Sequence, residues 1–189
     1  MSGRARADWP LRKAMEADIP VLEQLIPLSV RGLQAPYYSA RQMDAAVGFL
    51  FGVDRQLIRD GTYFIAEDAG RVAGCGGWSR RHSLCGSDHG RVGDDAPLDP
   101  AIDAARIRAF FVHPDWARRG IGRSILQLCE MELQRFGFRR AEIVATFAGE
   151  PLYAAFGYRV DERIEIPLQN GLTIGAVRMS KNFEGEMST

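Results

Sequence analysis

Residues 110–123 read Phe110-Phe111-Val112-His113-Pro114-Asp115-Trp116-Ala117-Arg118-Arg119-Gly120-Ile121-Gly122-Arg123, and the reading of the whole chain turns on them. The stretch opens as a strand, dense in aromatic and β-branched side chains. Pro114 has no N–H to give to a ladder, so pairing stops there. A helix begins near Gly120: Ile121, Ile125, Leu128, Cys129, Glu132 and Leu133 follow helical spacing, and Gly137 supplies the stop. The first turn of a helix has unpaired N–H groups and the positive end of the dipole. Gly120 and Gly122 remove side chains where an anion must come close, and Arg118, Arg119 and Arg123 add cationic donors. Together these make a cradle suited to a pyrophosphate. Taken alone, Gly-x-Gly before a helix also serves plain helix–strand packing. It is neither a Rossmann fingerprint, which needs a third glycine, nor a Walker loop.

Working outward, residues 102–112 form the strand that delivers this loop. Upstream, residues 62–67 and 71–80 read as a hairpin turned at Asp68-Ala69-Gly70. Three glycines in its second strand, Gly74, Gly76 and Gly77, suggest a bulge or a close backbone approach. Residues 81–101 are a long irregular segment rich in Gly, Asp, His and Pro, expected to be mobile and functional. With residues 74–81 it is expected to border the site of the second substrate, where Trp78 could stack on a ligand or lie buried. Near the N-terminus, residues 11–15 suit a short strand. Asp18 as N-cap and Pro20 in the first turn start a helix carrying Val21, Leu22, Leu25 and Ile26. A second helix starts near Ser39 and carries Met43, Val47 and Leu50. Downstream, residues 140–147 form a strand and 150–156 a short helix. Strands at 159–168 and 172–179 flank Gln169-Asn170-Gly171, a hairpin signal. The strand–helix–strand unit in the middle requires at least one parallel pair, so the class is mixed α/β with α+β character. Residues 10–182 are expected to form one domain, with 1–9 and 183–189 as flexible tails.

Composition narrows the partners. The chain has 189 residues, 46% of them hydrophobic, enough for a core. Lys+Arg and Asp+Glu are equal at 24 each, which argues against nucleic acid as the main partner. The three cysteines, Cys75, Cys85 and Cys129, have no CxxC spacing, so free thiols in a reducing compartment are expected and no metal site. No apolar run is long enough for a membrane span, and the first residues do not resemble a signal peptide, so the cytoplasm is the expected location. A homodimer is left open.

The central segment resembles the acyl-CoA-binding motif of the GNAT superfamily of N-acetyltransferases, written Q/R-x-x-G-x-G/A. Here it reads Ala117-Arg118-Arg119-Gly120-Ile121-Gly122, departing at Ala117. The preceding Val112-His113-Pro114 matches the family's strand end. A second resemblance follows at Glu150-Pro151-Leu152-Tyr153-Ala154-Ala155-Phe156-Gly157-Tyr158, similar to P-[FL]-Y-x-x-x-G-[FY]. The Asn often found shortly before it is replaced near Ala148. The resemblance implies a mixed central sheet of about six to seven strands, splayed at a parallel pair and flanked by about four helices. It also implies acetyl-CoA as co-substrate, with pantetheine pairing to the backbone of Phe111 and Val112 as an added strand would. The pyrophosphate then falls on Arg118, Arg119, Gly120, Ile121, Gly122 and Arg123.

For chemistry, the resemblance implies direct attack of an amine on the thioester, with the amine deprotonated first. Tyr153 matches the family's proton donor to the leaving thiolate. On residue type alone it is equally a packing aromatic. The strand carboxylate often used as base has no counterpart in Arg106-Ile107-Arg108, which leaves Glu67, Asp103, Glu142 or a water chain. His113 belongs to the loop, and His82 and His89 lie in the long segment. Two other readings stand beside acetyl transfer to an amine-bearing acceptor: a non-catalytic acyl-CoA-binding module, and a transferase for another acyl group.

Overall fold

The computed structural model describes residues 9–82 and 96–183. Apart from Trp9 and Phe183, both expected tails lie outside the described residues, as does most of the long irregular segment, with Cys85 and His89. Seven strands form one sheet: β1 (Leu11–Lys13), β2 (Tyr63–Asp68), β3 (Arg71–Ser79), β4 (Ala105–Val112), β5 (Arg140–Ala145), β6 (Arg159–Pro167) and β7 (Thr173–Asn182). Their order is β1-β2-β3-β4-β5-β7-β6. Every neighbouring pair is antiparallel except β4 and β5. The helices are α1 (Ile19–Leu33), α2 (Ala40–Ala46), α3 (Arg55–Asp60), α4 (Ile121–Arg135) and α5 (Glu150–Ala155).

Local chemistry accounts for most boundaries. Ser39 accepts from the Gln42 N–H while the Gln42 side chain takes the Ser39 N–H, a reciprocal cap that starts α2. Asp18 stands at the N-cap position of α1 without capping it. Its carboxylate accepts from Arg12 at 2.8 and 2.7 Å and from the Met15 N–H at 2.7 Å. α2 stops at Ala46, short of the expected Val47 and Leu50, because Val47 is extended and Gly48 turns left-handed at φ 83°. Five helices stand where about four were expected, and α3 is the one the sequence did not announce. It is a short polar stretch with no apolar period to announce it, started by Asp54, which accepts from the Leu57 N–H at 3.2 Å.

The sheet carries apolar side chains on both faces. One core, with Ile121, Ile125, Leu126, Cys129 and Leu133 of α4, includes Trp78 and Phe138. The other joins Leu22 and Ile26 of α1 and Leu57 of α3 to Tyr63 and Ile65. Cys75 and Cys129 are buried free thiols. Burial pushes the Cys75 thiol up to about 12, so it stays protonated and unreactive.

Two irregularities in the middle of the sheet position everything that follows. Cys75 pairs with Phe111 and Gly77 with Arg108, so Ala109 and Phe110 together face Gly76. This is a β-bulge, with Ala109 left-handed at φ 58°, a conformation costing a residue with a Cβ about 1–2 kcal/mol. Gly76 has to be glycine because a Cβ there would lie 2.7 Å from the Phe110 ring. The second irregularity is the parallel pair. β4 and β5 pair only at Ala105–Ala141 and Arg106–Glu142, after which the strands diverge. The expected splay therefore begins at Ile107.

Candidate functional site

The splay opens into a cavity of about 660 Å³. Its walls come from β4, β5 and β7, from the loop into α4, from α5, and from the segment joining α1 to α2. Phe111, Val112, Arg118, Gly120, Ile121, Gly122, Arg123 and Tyr153 all line it, so both segments singled out in the sequence reach one space. Arg119 is not among the lining residues. Its carbonyl instead accepts from the Trp9 indole at 2.9 Å, which ties the start of the described chain to the loop.

The loop into α4 is shaped by two left-handed residues, Arg118 at φ 63° and Gly120 at φ 92°. Ser124 is the first residue whose N–H turns back into the helix, to the Gly120 carbonyl at 2.9 Å. The N–H groups of Ile121, Gly122 and Arg123 therefore have no acceptor in their own helix and carry its positive end. A Cβ on Gly122 would lie 3.1 Å from Leu152 Cδ2. Arg123 stacks on Phe156 at 5.0 Å, and its Nε is buried with no hydrogen-bond partner among the described residues. Cationic side chains, free helix-end donors and a missing side chain thus converge, which suits a bound anion.

On β4, the Val112 N–H points out of the ladder and is donated to Ser29 Oγ of α1 at 3.1 Å. The bulge is pinned from the far side: the Tyr63 hydroxyl donates to the Ala109 carbonyl at 3.3 Å. Phe111 packs edge-on to Phe51 at 6.2 Å. Neither Ser29 nor Phe51 was legible as a site residue, because each comes from a helix or loop distant in sequence.

Tyr153 is 3% exposed, on α5, wedged between Phe110 and Tyr158 with ring centroids at 6.0 and 5.8 Å. Burial, with the nearby Cys129 sulfur, pushes its phenol well above the usual tyrosine value. Across neutral and moderately alkaline pH it is a protonated O–H donor.

The candidate bases lie elsewhere. Glu67 accepts from Arg12 at 3.0 and 2.6 Å. Glu142 is paired with Arg106 across the parallel strands, and Asp103 accepts from the Asp99 N–H at 2.7 Å. None of the three lines the cavity, and neither His82 nor His113 does. His113 caps the turn Pro114–Trp116, its Nδ1 accepting from the Asp115 N–H at 3.2 Å. No residue from 74 to 81 lines the cavity, and Trp78 is fully buried among Phe136 and Phe138. The glycines of β3 make room for the protein itself, as at Gly74, where a Cβ would lie 2.7 Å from Ile121 Cγ2. Gln34, Pro36, Tyr37, Phe51, Ile166 and Ile174 line the cavity as well. Among the described residues no cluster of His, Cys, Asp or Glu could hold a metal ion, and no helix is long and apolar enough to cross a membrane.

A family model described as an acetyltransferase (GNAT) domain matches residues 59–160, which span β2 through α5 and include the loop at Arg118 and the α5 tyrosine. No curated protein matches in sequence. Among solved structures, a GCN5-related N-acetyltransferase from Rhodopseudomonas palustris superposes with a TM-score of 0.71 at 20% identity, covering 96% of this chain and 100% of that one. The PaiA N-acetyltransferase from Thermoplasma acidophilum, in complex with coenzyme A, gives 0.64 at 12% identity over 92% and 98% of the two chains. A putative acetyltransferase from Salmonella typhimurium with its cofactor acetyl-CoA gives 0.62 at 14% identity over 97% and 98%. At these identities the likeness is one of fold.

Proposed function

This chain belongs to the GNAT acetyltransferase domain family, and from that premise we propose that it transfers an acetyl group from acetyl-CoA to an amine. The observation that carries the reading is the continuity of one cavity. The gap between β4 and β5 runs onto the N-terminus of α4, and Tyr153 faces the same space. The residues fit acetyl-CoA on their own chemistry: the glycine cradle at Gly120 and Gly122, and the cations of Arg118 and Arg123, match a pyrophosphate. Fold neighbours from Salmonella and Thermoplasma that hold acetyl-CoA or coenzyme A support the same assignment.

Bound acetyl-CoA supplies an acyl group activated as a thioester. The remaining work falls to the chain. The N–H groups of Ile121, Gly122 and Arg123 and the guanidinium of Arg123 hold the anionic end. The Val112 backbone, already turned out of the ladder, orients the pantetheine arm in the gap. Tyr153 holds its proton at the phenolic oxygen and donates it as the thiolate leaves. Phe110, Phe111 and Phe51 exclude water, which protects the acyl group from hydrolysis. Calorimetric titration with acetyl-CoA tests the reading. One site per chain, formed without added metal, is expected, and absence of binding would remove the premise for catalysis.

A further inference from the structure

Resting on that reading, we infer that the acceptor is an α-amine adjoining an apolar or aromatic side chain, as at a peptide N-terminus or in an amino-acid amide, and not a polyamine or a lysine side chain. Two features of the cavity carry this.

The first is its wall. Tyr37, Leu50, Phe51, Phe111, Ile166 and Ile174 line the space with aromatic rings and branched aliphatic groups. Phe51 makes an edge contact with Phe111, and Tyr37 is half exposed at 50%. Such a wall takes up an apolar side chain. Gln34, just after α1, lines the cavity as well, and its Oε1 is buried with no hydrogen-bond partner among the described residues. A neutral carboxamide oxygen of this kind accepts from an amine N–H.

The second feature is charge. The charged side chains among the described lining residues are Arg108, Arg118 and Arg123, and all three are cations. A polyamine or a lysine side chain would bring positive charge to a cavity whose described lining offers it no carboxylate. No described carboxylate or imidazole lines the cavity to take a proton from the attacking ammonium either. An acceptor amine that reaches the thioester already neutral needs no such group. An alkylamine with a pKa of about 10.4 is neutral in roughly one molecule in 2,500 at pH 7. The α-amine of a chain N-terminus, at about 7.7–8.0, is neutral in roughly one molecule in six to one in eleven, so the site needs no strong base for it.

The test is a panel assayed for free CoA release at pH 7. It comprises phenylalanine, phenylalaninamide, a dipeptide beginning with leucine, Nα-blocked lysine and spermidine. At least one of the three hydrophobic α-amines is expected to exceed Nα-blocked lysine and spermidine in kcat/KM by on the order of 10²-fold, the ratio of neutral fractions. Phenylalanine against its amide separates a free amino acid from a chain N-terminus. The exposed Tyr37→Ala variant is expected to lower kcat/KM for the best α-amine about tenfold while leaving acetyl-CoA affinity unchanged, since it removes only apolar contact. Equal or better turnover of spermidine or blocked lysine overturns the inference and leaves acetyl transfer standing. Acetyl-CoA binding with no α-amine turned over overturns it too. Failure of acetyl-CoA to bind at all overturns the underlying reading, and the inference with it.

Discussion

Gly122 and Leu152 touch across the cavity: a Cβ on residue 122 would stand 3.1 Å from Leu152 Cδ2. One residue opens α4 and the other lies in α5, beside Tyr153. Two sequence segments thirty positions apart are thus held at contact distance, one carrying the proposed anion cradle and the other the proposed proton donor. Glycine at 122 leaves room for the packing of α5.

Gly122→Glu therefore places bulk and negative charge where the pyrophosphate is proposed to sit. Juxtaposed like charges cost several kcal/mol, so acetyl-CoA affinity is expected to fall by at least on the order of 10²-fold. Gly122→Ala asks only that Leu152 give by a few tenths of an ångström and is expected to lose much less. Calorimetry on both variants is the check; undiminished affinity in Gly122→Glu would displace the cradle from this loop.

The Arg108–Asp54 pair tests what holds β4 against α3. The two side chains are 4% and 2% exposed and 2.8 Å apart. Removing one partner of a buried pair strands the other charge at a cost of about 3–5 kcal/mol. Asp54→Ala is expected to lose that much plus about 1 kcal/mol for the cap of α3. Asp54→Asn retains a capping oxygen and isolates the charge effect. Urea unfolding that shows less than about 1 kcal/mol for Asp54→Ala would mean that Arg108 is well solvated without it.

Stability should also depend on acid through Asp18. The hydrogen bonds from Arg12 hold its carboxyl below the ordinary value of 3.8. A carboxyl depressed on folding contributes fully above its unfolded pKa, and that contribution fades as pH falls through the folded pKa. The gap between wild type and Asp18→Asn is therefore expected to be constant from neutral pH down to about pH 5 and to narrow below about pH 4. A gap that widens on acidification would contradict the Arg12 assignment.

Tyr153→Phe separates proton donation from packing. The ring keeps its edge contacts with Phe110 and Tyr158, so stability and acetyl-CoA affinity should be preserved. Turnover should fall by on the order of 10²-fold, at the low end for a positioned acid. Because burial raises the phenol, wild-type kcat should show no alkaline fall from this residue between about pH 7 and 10. A Phe variant at full rate would leave Tyr153 as a packing residue and solvent as the proton source.

How much of this could be read from the sequence follows from where each signal is stored. The strand end at Val112, the loop with its two glycines and the α4 stripe are local patterns, and the structure places them as expected. The same holds for the Asn170-Gly171 turn, with φ of 61° and 71°. α3 escaped notice because six residues with one capping carboxylate have no apolar period. The walls at Gln34, Tyr37, Phe51, Ile166 and Ile174 were not legible, since they meet only when β7 docks beside β5 and the α1–α2 segment folds over the gap. The glycines of β3 suggested a bulge or a close backbone approach, and the structure has both, with the bulge opposite Gly76. A missing Cβ records close approach without recording what approaches; here it is Ile121, Phe110 and the Thr62 carbonyl.

The central claim is that acetyl passes from acetyl-CoA to an amine within the β4–β5 cavity. Mass spectrometry of a hydrophobic α-amine incubated with acetyl-labelled acetyl-CoA tests this most directly, with wild type and Gly122→Glu run side by side. The expected result is label on the amine nitrogen with wild type and its near-complete loss with the variant. Label appearing as free acetate alone, or on the amine equally with both proteins, would contradict it.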